Sequence, residues 1–206
     1  MVYNVKINSI IFCKLCLDGV NPLNDFILIV LSYLCGCING AYYVGKLYYR
    51  QDIRELGSSN AGARNAGRVF GKSAFIFTVI IDVLKTIIPL LFAFHLFHSN
   101  GVVLGCMTFA ILLGHVWPIQ LHFRGGKGVV VYLAASLILA PLALIISGVI
   151  ILIAYPIIKK LTIVAMSSFT SMPIILLFFY KDVILAIIFF IMLFIIVILH
   201  RNGDQT

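Results

Sequence analysis

Residues 57–68 read Gly57-Ser58-Ser59-Asn60-Ala61-Gly62-Ala63-Arg64-Asn65-Ala66-Gly67-Arg68, a polar and basic segment in a chain that is otherwise mostly apolar. Its three glycines let the backbone turn tightly and direct N–H groups toward one point. Two arginines, and Lys72 shortly afterwards, add positive charge to those donors. Oriented N–H groups beside cationic side chains are typical of a phosphate site, so this first glycine loop predicts an anion-binding site.

A second glycine loop of similar composition follows later in the chain. It reads Arg124-Gly125-Gly126-Lys127-Gly128, so Lys127 lies between glycines and can approach a ligand closely. Neither loop has the P-loop spacing Gly-x-x-x-x-Gly-Lys-Ser/Thr, which argues against nucleotide hydrolysis. The alternative interpretation is that both are only turns in positively charged loops at a membrane surface.

The composition around these loops is that of a membrane protein. Of the 206 residues, 62% are hydrophobic and 11% are charged, and the mean hydropathy is +1.13. Globular domains carry about 25% charged residues, so an integral membrane protein is the class that fits. The net charge of +8 is explained by basic loops facing cytoplasmic lipid. No basic tract interleaved with aromatics and no zinc-finger spacing supports nucleic-acid binding.

The apolar segments predict an all-α, polytopic fold with about seven transmembrane helices. Pro141 divides the segment 129–158, because a proline inside a helix removes a donor and clashes with the preceding turn; six spans remain if it only kinks the helix. Residues 1–25 are expected to form a short extracytoplasmic or interfacial lead-in. Residues 26–206 are expected to form one transmembrane domain with cytoplasmic loops at 46–72 and 122–128. The predicted spans are 26–45, 73–97, 102–121, two within 129–158, 161–179 and 183–199.

The distribution of lysine and arginine predicts the orientation. In a seven-span arrangement most basic residues fall on one side, which places the N-terminus outside and the C-terminus in the cytoplasm. Both glycine loops then face the cytoplasm, where anionic metabolites are found. The basic residues on that side are Lys46, Arg50, Arg54, Arg64, Arg68, Lys72, Arg124, Lys127, Lys159, Lys160 and Arg201.

Three further groups carry possible chemistry inside or beside the spans. His115 is either a general base near Lys127 or an interfacial histidine bonded to the backbone. Asp82 and Lys85 are opposite charges in one apolar span, and we expect them to pair or to face the bundle interior. The five cysteines lack a complete zinc spacing and are expected to be buried or free thiols. No metal site is predicted.

These segments resemble the PlsY family, the bacterial membrane acyltransferases that move an acyl group from acyl phosphate to glycerol 3-phosphate. The first glycine loop is similar to the family's Gly-Ser-x-Asn-Pro-Gly-Ala-Thr-Asn-x-x-Arg motif, with Ala61 at the proline and Arg64 at the threonine. Asp82-Val83-Leu84-Lys85 resembles the family's second helix. The family's second motif is matched by Gly114-His115-Val116-Trp117-Pro118 and Phe123-Arg124-Gly125-Gly126-Lys127-Gly128-Val129.

The resemblance implies roles for the matching residues. The implied catalytic residues are Ser58, Arg68, Lys127 and His115. Acyl phosphate and glycerol 3-phosphate are the implied substrates; lysophosphatidic acid would be the product, and neither a cofactor nor a metal is required. The implied location is the bacterial inner (plasma) membrane, with lipid around the chain and the oligomeric state open, monomer included. The residues implied to shape the pocket or bind substrate are Asn60, Gly62, Asn65, Gly125, Gly126, Gly128, Thr162 and His200.

Two other interpretations remain at this point. A weakly active or inactive paralogue is one, because His200-Arg201-Asn202-Gly203-Asp204-Gln205-Thr206 departs from the family's third motif, His-x-x-Asn-Ile with a later glutamate. A transporter of an anionic metabolite is the other. A transporter should show polar residues at mid-membrane and an internal repeat. Only Asp82 and Lys85 are polar candidates at that depth, which favours the enzyme.

Overall fold

The computed structural model describes residues 22–203, and every regular element in that range is helical. The prediction of an all-α fold is therefore confirmed for these residues. Most of the lead-in, including Cys13 and Cys16, and the last three residues lie outside the described range. The helices are α1 Pro22–Gly36, α2 Gly40–Tyr48, α3 Ala63–Phe70, α4 Lys72–Leu96, α5 Gly101–Val116, α6 Val129–Leu139, α7 Pro141–Ile158, α8 Leu161–Phe169, α9 Ser171–Phe178 and α10 Val183–Gly203.

Five helical segments of the described chain are each long and apolar enough to cross a membrane. They are α4, α5 with its following turn, α7, α8 together with α9, and α10. The pair α1–α2, bent by 43°, provides a sixth if it crosses as one span. The remaining apolar helix, α6, has 11 residues and is about 16 Å long. Helices thus occupy all seven predicted segments, while the number of crossings and the orientation stay predictions.

The prediction of one continuous helix over 26–45 is wrong. The chain leaves helical geometry after Gly36 and re-enters it at Gly40, where Asn39 caps α2 by accepting a hydrogen bond from the backbone N–H of Tyr42 at 2.9 Å. The chain at this break is closely packed against α5. A Cβ on Gly36 would overlap the backbone of Ile111. Helix α1 therefore ends against the α5 backbone.

The predicted division at Pro141 is confirmed as a break between two helices. Helix α6 ends at Leu139, Ala140 is fully buried, and α7 starts with Pro141 at its first position. Proline suits that position because its missing N–H would have no intrahelical partner there. Helices α6 and α7 are therefore separated by the single residue Ala140.

Two groups of buried side chains hold the helices together. The larger core joins α1 and all helices from α4 to α10 around fully buried side chains such as Ile111, Tyr132 and Phe189. The smaller one packs α2 and the start of α4 against the first glycine loop. Its members are Ala41, Val44, Ile53, Ala61, Ala66 and Ala74. The small core is what fixes the first glycine loop on the helical frame.

Candidate active site

The first glycine loop is organised around the buried side chain of Asn65. The Asn65 carboxamide oxygen accepts the backbone N–H of Ser58 at 3.0 Å. Its amide group donates to the carbonyls of Leu56 at 2.9 Å, Asn60 at 3.1 Å and Ile53 at 3.3 Å. Asn65 therefore shapes the loop from inside, because it satisfies backbone groups that would otherwise be exposed or unpaired.

Backbone geometry explains why residues with little or no side chain are needed here. Gly57 has φ +59° and Ser59 has φ +54°, both in the left-handed region. A Cβ on Gly57 would collide with the Asn65 carboxamide oxygen. The tight turn delivers the chain to α3, which carries Arg64 and Arg68 one helical turn apart.

The second glycine loop is held between the end of α5 and the first loop. The N–H of Gly125 donates to Val116 O, and that of Gly126 donates to His115 O, both at 3.0 Å. The N–H of Ala61 donates to Gly125 O at 3.3 Å, which joins the two loops directly. A Cβ on Gly125 would overlap the His115 carbonyl, and one on Gly126 would overlap His115 Nε2. Only glycine permits this close approach of the backbone to the histidine.

A cavity of about 740 Å³ lies between these loops and the helices. All but two of the residues predicted for the site line it; Gly125 and Gly126 are not among its lining residues and instead place the second loop against His115. The predicted residues that line the cavity are Ser58, Asn60, Gly62, Asn65, Arg68, His115, Lys127, Gly128, Thr162 and His200. The structure therefore brings together residues that are far apart in the chain.

The remaining walls of this cavity are mostly apolar. They come from α4, α6, α7 and α8, and include Phe75, Val79, Val129, Val130, Leu133, Leu144, Ile151, Leu161, Ala165, Met166 and Phe169. Cationic and hydroxyl side chains thus share one cavity with a long hydrocarbon wall. Such a cavity can hold a molecule that has an anionic head and an apolar tail.

Arg64, which the sequence predicted as a cation of the anion-binding loop but which was given no catalytic or substrate-binding role, also lines the cavity. Its Nη1 donates to the Thr162 hydroxyl at 3.1 Å, which links α3 to the start of α8. Arg64 and Arg68 are four residues apart on a short helix, a spacing that places their side chains on the same face. Both arginines line the same cavity, so the two charges that the sequence predicted for the anion-binding loop face one space.

Asp82 and Lys85 form the ion pair that their sequence spacing predicted. The Lys85 Nζ to Asp82 Oδ1 distance is 2.8 Å, and both side chains are almost completely buried. The sequence suggested that His115 is a general base or is bonded to the backbone, and neither interpretation includes the contact that its ring makes. His115 Nδ1 lies 2.7 Å from Lys85 Nζ. The ring is therefore bonded to a charged side chain of α4 and not to the backbone.

The break between α1 and α2 is held by the same pair. Lys85 Nζ donates to Ile38 O at 2.7 Å, and Asp82 Oδ1 accepts the N–H of Gly40 at 3.3 Å. The Asn39 amide donates to Ala61 O at 3.0 Å. The carbonyl of Ile38 and the N–H of Gly40, at the break, are thus satisfied by side chains of α4.

A second carboxylate cluster lies outside the predicted spans. Asp52 Oδ2 is 2.7 Å from Arg54 Nη2, and Lys46 Nζ lies 3.7 Å from the same oxygen. The hydrogen bond and charge of Arg54 lower the pKa of Asp52 to about 2. Arg54 Nη1 also donates to Leu121 O at 2.7 Å. This cluster ties the segment before the first glycine loop to the turn before the second.

The three cysteines of the described range are not among the residues that line the cavity. Cys35, Cys37 and Cys106 are free thiols, as expected for the cysteines in the described range. Within residues 22–203, no group of three or more His, Cys, Asp or Glu side chains is placed to hold a metal ion.

Comparisons with known proteins agree with the motifs. A family model described as glycerol-3-phosphate acyltransferase matches residues 26–205. Glycerol-3-phosphate acyltransferase 1 of Desulfitobacterium hafniense is 33% identical over 150 residues, covering 73% of this chain and 74% of the relative. The glycerol-3-phosphate acyltransferase of Staphylococcus haemolyticus is 40% identical over 134 residues, or 60% of this chain and 65% of the relative.

Two solved structures share the fold. One is PlsY, an integral membrane glycerol 3-phosphate acyltransferase, in its glycerol 3-phosphate form; it is 27% identical with a TM-score of 0.79. The other is the lysophosphatidic acid form of PlsY, with 26% identity and a TM-score of 0.77. Each alignment covers 88% of this chain and 90% of the other.

Proposed function

This chain belongs to the glycerol-3-phosphate acyltransferase family, and from that premise we propose its acyl donor, its membrane and the residues that act. It is a membrane acyltransferase of the PlsY type. The donor is acyl phosphate, the acceptor is the sn-1 hydroxyl of glycerol 3-phosphate, and the product is lysophosphatidic acid. The enzyme works in the bacterial inner membrane with both glycine loops facing the cytoplasm.

The observation that carries the proposal is one cavity with two kinds of wall. Ser58, Arg68 and Lys127 supply hydroxyl and cationic groups, and the apolar walls of α4, α6, α7 and α8 supply hydrocarbon. Arginine can bind a phosphate bidentately, and Lys127 adds a compact charge. The phosphates therefore bind at the loops while the acyl chain lies along the apolar wall.

The reaction requires the enzyme to align the two substrates and to stabilise negative charge on the departing phosphate. Acyl phosphate is a mixed anhydride, so phosphate is already a good leaving group and no enzyme nucleophile is needed. The glycerol hydroxyl oxygen attacks the carbonyl carbon, the bond from that carbon to the phosphate oxygen breaks, and the hydroxyl proton leaves with phosphate or solvent. Arg68 and Lys127 stabilise the negative charge that grows on the departing phosphate. Ser58 and the loop backbone hold the two substrates in line.

The other residues shape the cavity or complete its rim. Asn60, Gly62, Asn65 and Gly128 set the path of the two loops, and Gly125 and Gly126 bring the second loop against His115. Arg64 and Thr162 contribute a further cation and a hydroxyl on the α8 side. His200, on α10, lines the cavity as well.

The paralogue and the transporter are less well supported. The family model extends to residue 205, so it includes the segment after His200 in which the third motif departs from the family pattern. The relatives and solved structures reported above are acyltransferases. In the described spans, the buried charges Asp82 and Lys85 are engaged with each other and with the α1–α2 break, which gives them a structural use without transport.

The test is turnover by the purified protein given acyl phosphate and glycerol 3-phosphate, compared with Arg68→Ala and Lys127→Ala. We expect product from the natural chain and at least a hundredfold loss in each variant, about 3 kcal/mol, because each removes a preorganised cation. Lys72→Ala is the matched control, since Lys72 is a nearby cation outside the cavity lining.

Each contrary outcome removes a different part of the proposal. Turnover by Arg68→Ala and Lys127→Ala equal to that of the natural chain would show that the site is misplaced. Turnover with an acyl thioester but not with acyl phosphate would show that the donor is wrong. A folded natural chain that uses neither donor would favour the inactive paralogue.

A further inference from the structure

Lys85 meets three acceptors with its single nitrogen. Nζ lies 2.8 Å from Asp82 Oδ1, 2.7 Å from Ile38 O and 2.7 Å from His115 Nδ1. The Lys85 side chain is only 2% exposed. A lysine ammonium has three N–H donors and no acceptor, so the three contacts match its three protons. A neutral amine at the same place would leave the buried Asp82 carboxylate without a countercharge, which is costly.

The contact with Lys85 fixes where the proton of His115 must lie. Because the ammonium can only donate, Nδ1 must accept, and the one proton of the neutral imidazole is then on Nε2. We infer that Lys85 is a positioning residue, which holds His115 in the Nε2–H form so that this histidine donates a hydrogen bond to the substrate instead of removing its proton.

The position of the ring supports a donor that faces substrate. His115 lines the cavity, and its Nε2 is packed so closely against Gly126 that a Cβ there would overlap it. The next residue along the chain, Lys127, lines the same cavity. An Nε2–H at this point suits an oxygen that carries or gains negative charge, in a phosphate or in the attacked carbonyl. The identity of the substrate in this inference rests on the proposed acyl transfer. The assignment of the His115 tautomer does not depend on that proposal.

A general base at His115 fits this arrangement poorly. The Nε2 lone pair needed for proton removal is already protonated in the neutral ring. Adding a second proton at Nδ1 would place an imidazolium against the Lys85 ammonium, and like charges at this distance repel strongly in a buried site. His115 Nδ1 is 3.7 Å from Asp82 Oδ1, so the carboxylate lies beyond hydrogen-bonding distance of the ring.

His200 lines the same cavity, and its hydrogen bond assigns it the opposite tautomer. Its Nδ1 lies 2.9 Å from Ile196 O, and a carbonyl only accepts, so Nδ1 carries the proton. In neutral His200 the lone pair is therefore on Nε2. The two histidines that line the cavity are assigned opposite tautomers, which makes His200 an internal reference for any measurement on His115.

The first experiment compares two neutral amides at position 115. In His115→Gln, the amide has an acceptor and a donor spaced much like the two ring nitrogens, so it can face Lys85 and the cavity together. In His115→Asn, the shorter amide reaches Lys85 but not the position of Nε2. We expect the glutamine variant to keep turnover within about tenfold of the natural enzyme, and the asparagine variant to lose at least a hundredfold in kcat. Neither amide is a base, so equal and severe loss in two folded variants would overturn the inference.

The second experiment reads the tautomer directly. Nitrogen-15 NMR of histidine-labelled protein in detergent should show His115 as Nε2–H and His200 as Nδ1–H, each assigned by the signal that its glutamine variant removes. In the double variant Asp82→Asn with Lys85→Met, the His115 signal should shift toward Nδ1–H or a mixture while that of His200 stays. An Nδ1–H signal for His115 in the natural protein, or no change in the double variant, would refute the role of Lys85.

The two proposals can fail separately. If the natural chain has no acyltransferase activity, the proposed function fails, and the spectrum still decides the tautomer. If turnover is normal but the spectrum shows Nδ1–H, the acyltransferase stands and the positioning role of Lys85 falls.

Discussion

Two clusters in this protein are built on an aspartate with a basic residue close behind it in sequence, and they do different work. Asp52 pairs with Arg54 in the loop after α2, where the Asp52 side chain is 7% exposed and the Arg54 side chain 16%. Asp82 pairs with Lys85 inside α4, where the side chains are 1% and 2% exposed. The loop pair reaches the turn at Leu121, whereas the helix pair holds the α1–α2 break and the ring of His115.

The difference shows that the contribution of an ion pair to stability depends on how far it is buried. The Arg54 side chain keeps some exposure, so solvent can partly compensate the partner that remains when the other is removed. Inside the bundle no water replaces a lost partner, and the remaining charge stays uncompensated. Removing one partner of a buried ion pair is therefore costly.

The largest effect is expected from Lys85→Met alone. This change leaves the Asp82 carboxylate buried without a cation, which should lower the free energy of unfolding by about 3–5 kcal/mol. Adding Asp82→Asn removes the charge, so the double variant should recover much of that loss. The measurement is thermal unfolding in detergent, followed by circular dichroism. A single variant as stable as the natural chain would erase the distinction between the two clusters.

A smaller effect is expected from Arg54→Ala. The change removes two hydrogen bonds to Asp52 and one to Leu121 O, at a site partly open to water, and should cost about 1–2 kcal/mol. Lys46→Ala is the matched control, because its contact with Asp52 is long at 3.7 Å and its side chain is 43% exposed. The same unfolding assay applies. An Arg54 variant that loses more stability than Lys85→Met would reverse the ranking of the clusters.

The smallest effect is a dependence of stability on acid. The pKa of Asp52 is lowered to about 2 from the ordinary 3.8, because Arg54 stabilises the carboxylate. A group with a lowered folded pKa stabilises the fold above its unfolded value and loses that contribution as the pH falls through the folded value. Between about pH 4 and pH 2, the natural chain should therefore lose more stability than Asp52→Asn. Parallel curves for the two proteins would show that Arg54 does not shift the pKa of Asp52.

The sequence predicted the parts of this molecule that depend on neighbours along the chain. The two glycine loops, the break at Pro141 and the Asp82–Lys85 pair follow from residue type and local spacing. The twelve residues assigned to the site came from motif resemblance, and all but Gly125 and Gly126 line one cavity. Their catalytic and binding roles stay predictions until the variants are assayed.

Contacts between helices that are far apart in the chain could not be predicted from the sequence. The break at residues 37–39 depends on Gly36 meeting the backbone of Ile111 and on acceptors and donors from α4, none of which is visible in an apolar run. The ring of His115 meets Lys85 from another helix, and Arg64 meets Thr162 from the far side of the cavity. Periodicity and composition describe one helix at a time, so they cannot specify such pairs.

The attachment of Lys85 to the α1–α2 break also bears on how the chain enters the membrane during synthesis. An aspartate or lysine at the centre of an isolated helix opposes insertion by about 2.5–3.5 kcal/mol. Residues 22–48 leave the ribosome before α4, so the carbonyl of Ile38 and the N–H of Gly40 precede the two charges that need them. His115, the third partner of Lys85, follows α4 in the chain. The order of the polypeptide thus places these two backbone partners ahead of the span that carries the buried charges.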